Sequence, residues 1–229
     1  LVSPINIPEV VPMPVLKTKR LRLVPMTTEQ LGELLAQPQP DPHFAAALRE
    51  MHDACLAHPD DRLWYTNWQI YLRTDGTCIG SLCFKGGPKS GAVELGYGID
   101  APYRNKGYAT EAVKAAMNWA FYRQDAYFVL AETEKENAAS VRVLEKNGFK
   151  PAGSGLEGPR WAAERPLANY VSVYLSIGLC MGIALGNALD SLALGTGLGL
   201  SLGAALGLVF DASERKRRKR YKKELNLPK

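Results

Sequence analysis

Residues 93–110 read VELGYGIDAPYRNKGYAT, and the rest of the chain is arranged around them. The first eight residues alternate. Val93, Leu95, Tyr97 and Ile99 share one side, the two-residue period of a strand with one buried face. Glu94, Gly96, Gly98 and Asp100 share the other. Two glycines leave that face nearly bare, so a ligand can approach the backbone closely. Pro102 ends the strand. Arg104-Asn105-Lys106-Gly107-Tyr108-Ala109 follows as a short basic loop, and a helical pattern begins at Thr110. A strand, a glycine-containing loop and a helix N-terminus form a seat for a phosphate-bearing ligand. Free backbone N–H groups and the helix dipole both favour negative charge there, and Arg104 and Lys106 add full positive charges.

Four stretches carry a family resemblance. Arg104-x-x-Gly107-x-Ala109 resembles the pyrophosphate loop of the GNAT superfamily of acetyl-CoA-dependent N-acetyltransferases. Leu16-x-Thr18-x-Arg20-Leu21-x-Leu23 is similar to the opening strand of its ribosomal-protein N-terminal branch. Val93 to Tyr97 is similar to that branch's strand before the loop. Asn137-x-x-Ser140-x-x-x-Leu144-x-Lys146-x-Gly148-Phe149 is similar to its closing helix. The resemblance covers roughly residues 16–166. It implies an α/β (α+β) fold with a mixed central sheet flanked by helices. It also implies acetyl-CoA as co-substrate, wedged where the central strand parts from its neighbour.

Transfer of an acetyl group to an amine requires that the thioester be held, its carbonyl polarised, the amine deprotonated and the thiolate accommodated. Holding falls to Arg104, Asn105, Lys106, Gly107, Tyr108, Ala109 and Thr110. A backbone N–H in Tyr97-Gly98-Ile99 is the candidate oxyanion donor, with the side chains of Tyr97 and Ile99 assigned to the core. Glu94 lies on the ligand-facing side and is the candidate base, acting directly or through water; a strand glutamate that is solvated, or paired with Arg or Lys, is the alternative. Many GNAT enzymes place a tyrosine where this chain has Leu144, so the usual general acid is missing. Ser140 resembles the branch's serine near the sulfur, and it is also a plain helix-cap or helix-surface serine. Asn137 resembles the family's cofactor-contacting asparagine and equally fits an N-cap. No cysteine lies in these motifs, which favours direct attack on the thioester over an acyl-enzyme.

Around this core the chain reads in order. Residues 1–15 carry four prolines and form an extended arm. The 16–167 segment is the acetyltransferase domain. Its first strand is expected over Arg20–Met26 and its first two helices near Glu29–Leu35 and Phe44–Ala57. Trp64–Arg73 and Thr77–Lys85 form a hairpin about Asp75-Gly76. Cys78 and Cys83, five apart on one strand, are expected on opposite faces. A helix over Thr110–Tyr122, a short strand over Tyr127–Ala131, a helix capped by Asn137 and a last pair of strands complete the domain. Neither the four cysteines nor the three histidines show metal-ligand spacing, and free thiols suit a reducing compartment.

The C-terminal segment changes character. Val171–Leu189 and Leu192–Phe210 are two uncharged runs of 19 residues. Gly178, Gly182 and Gly186 are spaced by four, and so are Gly195, Gly199, Gly203 and Gly207. Repeated small residues let two helices meet at backbone distance, so residues 168–210 read as a glycine-zipper hairpin. Each run approaches the ~20 residues that span a bilayer. Helix glycines cost about 0.8–1.0 kcal/mol each in water, so tight packing or lipid must compensate. A soluble hairpin that docks or self-associates is the alternative. Six consecutive cations, Arg215 to Arg220, sit in the tail 211–229. That tail carries +6 of a net charge of +5, leaving the body at −1. The body therefore has no field suited to nucleic acid, whereas the tail suits anionic lipid. The expectation is a cytoplasmic enzyme anchored to the inner face of the cell membrane, acting on a protein N-terminus or a small amine.

Overall fold

The computed structural model describes residues 14–38, 41–123 and 125–228. All of the expected arm except Pro14 and Val15 lies outside the described residues. The chain divides into two compact units, one ending at Ala163 and one beginning at Glu164.

The first unit is built on a mixed sheet of eight strands in the order β1-β2-β3-β4-β5-β6-β8-β7. The opening motif makes two strands rather than one: β1 is Leu16–Lys17 and β2 is Leu21–Pro25, folded back on each other. Thr27 then caps α1 (Thr28–Ala36) in a reciprocal capping box with Gln30. Asp41 caps α2 (Pro42–Ala57), with Pro42 at the first turn, where its missing N–H costs nothing. β3 (Asn67–Leu72) and β4 (Cys78–Phe84) form the expected hairpin. β5 (Ala92–Ile99) follows, antiparallel to β4. α3 (Tyr108–Tyr122), β6 (Phe128–Glu132), α4 (Ala138–Lys146), β7 (Lys150–Ser154) and β8 (Pro159–Glu164) complete the unit.

The core lies between one sheet face and α3. Leu23, Ile70, Leu82 and Leu95 from four adjacent strands meet Val113, Ala116 and Ala120. Trp119 of α3 reaches over the sheet to Trp64, Trp68 and Phe84, with ring centroids 4.6–5.4 Å apart. A separate small cluster of Met26, Leu31, Leu48 and Cys55 fixes α1 and α2.

One expectation fails on the sheet. The pairing of β3 and β4 slips by a residue after Ile70↔Gly80, so that Tyr71 pairs with Cys78. The bulge spends one extra residue and resets the alternation beyond it. Cys83 pairs with Asn67 and Cys78 with Tyr71. Asn67 and Tyr71 are four residues apart on one strand, so both cysteines lie on the same face.

The second unit contains two long helices, α5 (Tyr170–Ala188) and α6 (Leu192–Glu224). Their interface is glycine. A Cβ built on any of Gly178, Gly182, Gly186, Gly195, Gly199, Gly203 or Gly207 would meet the backbone of the opposite helix, whereas at Gly197, off that face, it meets nothing within 4 Å. The larger apolar side chains point outward instead: Ile177, Met181, Leu194, Leu202 and Leu208 are 48–63% exposed. Tyr174 stacks on Phe210 at 5.0 Å. Both helices are long and apolar enough to cross a membrane. α6 does not stop at Phe210. It continues through the basic run, and Arg218 is buried there, bonded to Glu214, to Glu164 and to the carbonyls of Arg165 and Pro166.

Candidate active site

The site begins where β5 loses a neighbour. β5 pairs with β6 in parallel only at Ala92↔Phe128, Val93↔Val129 and Glu94↔Leu130. On its other edge it stays paired with β4 as far as Ile99↔Gly80. The Glu94 carbonyl accepts from Lys85 N at 2.9 Å and Asp100 N donates to Ile79 O at 2.9 Å, both across to β4. Backbone groups alternate in direction along a strand. The N–H and C=O groups of Tyr97 and Ile99 therefore face the gap left by β6. Arg104 Nε donates to Ile99 O from that side at 2.9 Å.

The basic loop closes one end of the gap. Asn105 and Gly107 have φ of 60° and 79°. This turns the chain sharply into α3, which starts two residues earlier than expected. Gly107 is its N-cap and supplies no side-chain cap. The N–H groups of the first turn are thus left for a ligand, at the positive end of a 15-residue helix.

Arg20 holds this loop. Its Nη1 donates to Lys106 O at 2.9 Å, and its guanidinium lies 4.5 Å from the Tyr108 ring centroid. Its Nε and backbone N donate to Glu111 at 2.7 and 2.8 Å, and Thr18 Oγ1 donates to the same carboxylate. Burial pushes the Glu111 carboxyl up, but the hydrogen bonds from Thr18 and Arg20 outweigh it and hold its pKa below the usual value.

α4 forms the other wall. Asn137 Oδ1 accepts from Ser140 N at 3.0 Å, the N-cap geometry. Asn147 at the far end donates to Thr110 O at 3.2 Å, tying α4 to the first turn of α3. Ser140 Oγ lies 2.7 Å from the Tyr97 hydroxyl. Burial raises the pKa of that phenol, and the bond to Ser140 offsets part of the rise.

The resulting cavity is about 600 Å³. It brings together eleven of the predicted residues: Tyr97, Gly98, Ile99, Arg104, Asn105, Gly107, Tyr108, Ala109, Thr110, Asn137 and Ser140. Lys106 does not line the cavity; its ammonium lies 5.5 Å from the Tyr103 ring centroid. Tyr103, Arg142 and Lys146 also line the cavity and were not foreseen. Arg142 and Lys146 are four apart on α4, so with Arg104 they place three cations around the opening. Their helical spacing after Ala139 was the available signal. Leu144 is fully buried in the core and does not line the cavity.

Glu94 does not line this cavity. Its carboxylate is half-buried and lies 2.6 Å from Lys85 Nζ, which also holds Glu157 at 2.7 Å. Burial opposes the Lys85 ammonium, but hydrogen bonds to Glu157 and Glu94 prevail and hold its pKa above the ordinary value. The alternative reading of Glu94, a paired strand glutamate, describes its ground state. Among the described residues no three His, Cys, Asp or Glu side chains are grouped to hold a metal ion.

The sequence profile of the "Acetyltransferase (GNAT) domain" matches residues 20–150, more than half of the chain. The chain belongs to the GNAT acetyltransferase family. The matched region spans the arginine brace, the parted strands, the loop and α4, so all parts of the cavity fall inside the GNAT domain. The uncharacterized N-acetyltransferase YjdG of Bacillus subtilis is 31% identical over 98 residues, 42% of this chain and 58% of that protein. A second B. subtilis relative, YnaD, is matched over 49% of its length. The chain thus spans about half the length of the curated relatives it matches. An acetyltransferase from Agrobacterium tumefaciens superposes with a TM-score of 0.52 at 22% identity, covering 66% of this chain and 95% of that one. RimL, a ribosomal L7/L12 alpha-N-protein acetyltransferase solved in complex with coenzyme A, superposes at 0.50 and 16% identity, covering 66% and 98%. At these identities the likeness concerns the fold alone. The profile of the "Glycine zipper membrane protein" family matches residues 165–213.

Proposed function

We propose that the GNAT domain moves an acetyl group from acetyl-CoA to a primary amine by direct attack. The observation that carries this is the parted β5–β6 pair opening beside an uncapped helix N-terminus. The pyrophosphate sits on the first turn of α3, with Arg104 and Lys146 beside it. The thioester arm runs along the free edge of β5, where the Tyr97 and Ile99 N–H groups meet acceptors on the ligand and polarise the carbonyl. The amine arrives from the opposite sheet face, where Glu94 receives its proton directly or through water once Lys85 yields the carboxylate. Ser140 faces the departing sulfur.

The fold shared with RimL makes a protein N-terminus the first acceptor to test, with small amines as the other class. The glycine-zipper hairpin anchors the enzyme at a membrane. Its outward leucines need an apolar surround, and its cationic helix end suits anionic headgroups. Radiolabelled acetyl-CoA incubated with the protein and a lysate of its own source tests the reaction. Label in protein supports an N-terminal acetyltransferase, and label in metabolites alone a small-amine enzyme. Absence of label in both, with coenzyme binding intact, sinks the enzymatic reading.

The ion pair on Glu94 favours a second reading, an acyl-CoA-binding module that does not turn over. Glu94→Gln separates the two. A steep fall in kcat at constant coenzyme affinity excludes the module.

A further inference from the structure

The leaving-group side of the cavity lacks the usual tyrosine, because position 144 is a leucine, buried in the core. A different tyrosine reaches α4 from across the gap. Tyr97 comes from β5, yet its hydroxyl lies 2.7 Å from Ser140 Oγ on α4 and 3.3 Å from the Ser140 carbonyl oxygen. Both residues line the cavity. This is a bond between the two walls that the coenzyme separates.

A serine hydroxyl in the first turn of a helix rotates freely among nearby acceptors, and its proton is readily lost to the helix's own carbonyls. We propose that Tyr97 is the positioning residue for Ser140: its hydroxyl donates to Ser140 Oγ and leaves the serine proton aimed at the coenzyme sulfur. The proposal rests on the acetyl-transfer reading above.

The step balances without an acyl-enzyme. The amine nitrogen forms a bond to the carbonyl carbon, the C–S bond breaks, and its electron pair stays on sulfur. Ser140 donates a hydrogen bond to that thiolate and keeps its proton. The thiolate finally takes the proton that the amine gives up, carried by solvent. Tyr97 also keeps its proton. Burial, which raises its pKa, maintains the phenol as a donor throughout the working pH range.

Two measurements on the full chain test this. In the first, Tyr97→Phe, Ser140→Ala and the double variant are compared for turnover. Tyr97→Phe is expected to lower kcat about tenfold or more, the scale of a lost hydrogen bond to a developing charge, with KM for acetyl-CoA within twofold. The loss should vanish when Ser140 is already alanine. An unchanged kcat, or a loss that persists undiminished in the Ser140→Ala background, overturns the proposal. The second measurement needs no turnover. The affinity ratio of coenzyme A to desulfo-coenzyme A reads contact with sulfur directly. It should fall toward one in Tyr97→Phe as in Ser140→Ala, and a ratio unmoved by Tyr97→Phe overturns the proposal even if the protein proves to be a non-catalytic binder. If the wild-type chain binds neither compound, the acetyl-transfer reading and this proposal fall together.

Discussion

Arg20 and Glu111 are joined across 91 residues by a side-chain bond of 2.7 Å and a backbone bond of 2.8 Å to the same carboxylate. The pair links the first hairpin of the sheet to the first turn of α3. Through Lys106 O and the Tyr108 ring it also sets the path of the loop before α3. Replacing Arg20 by Ala should therefore weaken coenzyme A binding about tenfold or more, since the side-chain bonds to Glu111 and to Lys106 O, a pre-formed clamp on the loop, are lost while the backbone bond remains. Its direct effect on stability should be smaller, within about 1 kcal/mol, because the Arg20 side chain is 42% exposed and solvent screens the pair. Calorimetric titration and denaturant melts separate the two quantities. Equal coenzyme affinity in the variant contradicts a bracing role.

The same pair sets a pH dependence. Glu111 has a lowered pKa in the folded chain. Its contribution to stability is present above the ordinary glutamate value of 4.5 and is lost as pH falls through the lower, folded value. Glu111→Gln should flatten the stability curve of the chain below about pH 4.5 and leave its shape above pH 6 unaltered. Thermal melts across pH 3–7 read this, and a parallel downward shift at all pH values counts against it.

Gly107 is held at φ 79°, and a Cβ there would approach Arg20 Nη2 at 3.5 Å. Gly107→Ala should cost about 1–2 kcal/mol, mostly from the left-handed backbone. It should also weaken coenzyme binding, because the loop relaxes away from the helix end. Gly98→Ala, at a position with open space, serves as the comparison and should leave stability within about 0.5 kcal/mol. Chemical denaturation of the two variants decides the point.

Lys85 neutralises Glu94 in the resting chain. The raised Lys85 pKa stabilises the fold fully below the ordinary value of 10.5, and this contribution fades only at more alkaline pH. Lys85→Met should cost no more than about 1 kcal/mol at neutral pH, since Lys85 is 40% exposed. By removing the cation that holds the Glu94 carboxylate, it should change kcat while coenzyme affinity stays the same. An unchanged kcat shows that Glu94 takes no part in the rate.

The zipper predicts a contrast between glycines of one helix. Gly199→Leu puts a side chain into the backbone of the facing helix, whereas Gly197→Leu meets nothing. In lipid vesicles, disulfide crosslinking between cysteines placed on the two helices should be lost in the first variant and kept in the second. Coenzyme binding by the GNAT domain should be the same in both.

Much of this was legible in the residues. The alternation of Val93–Ile99, its bare face and the glycine before α3 announce a strand, a loop and an anion seat, because each depends on neighbours in sequence. The zipper glycines are legible for the same reason, since period four is a local property of a helix. The brace was not. Arg20 stands in the opening-strand motif, but its role appears only once Glu111 is brought to it. The bulge after Ile70↔Gly80 was also hidden, since a slip in register belongs to the pairing and not to either strand. It placed Cys78 and Cys83 together against the simple alternation. The boundary at residue 211 followed composition. The backbone follows helix propensity instead, and Glu, Lys and Arg continue a helix as readily as leucine does.

The two helices of the second unit are joined by Leu189, Asp190 and Ser191 alone. For a hairpin entering a bilayer, that short bend sets the work of translocation, because the Asp190 carboxylate is the charge it must carry across. Both open ends remain where synthesis left them. The GNAT domain precedes the hairpin in the chain, so it can complete its fold and load coenzyme before any anchoring step. For a chain anchored through this hairpin, attachment is then a late event, separable in time from the folding of the GNAT domain.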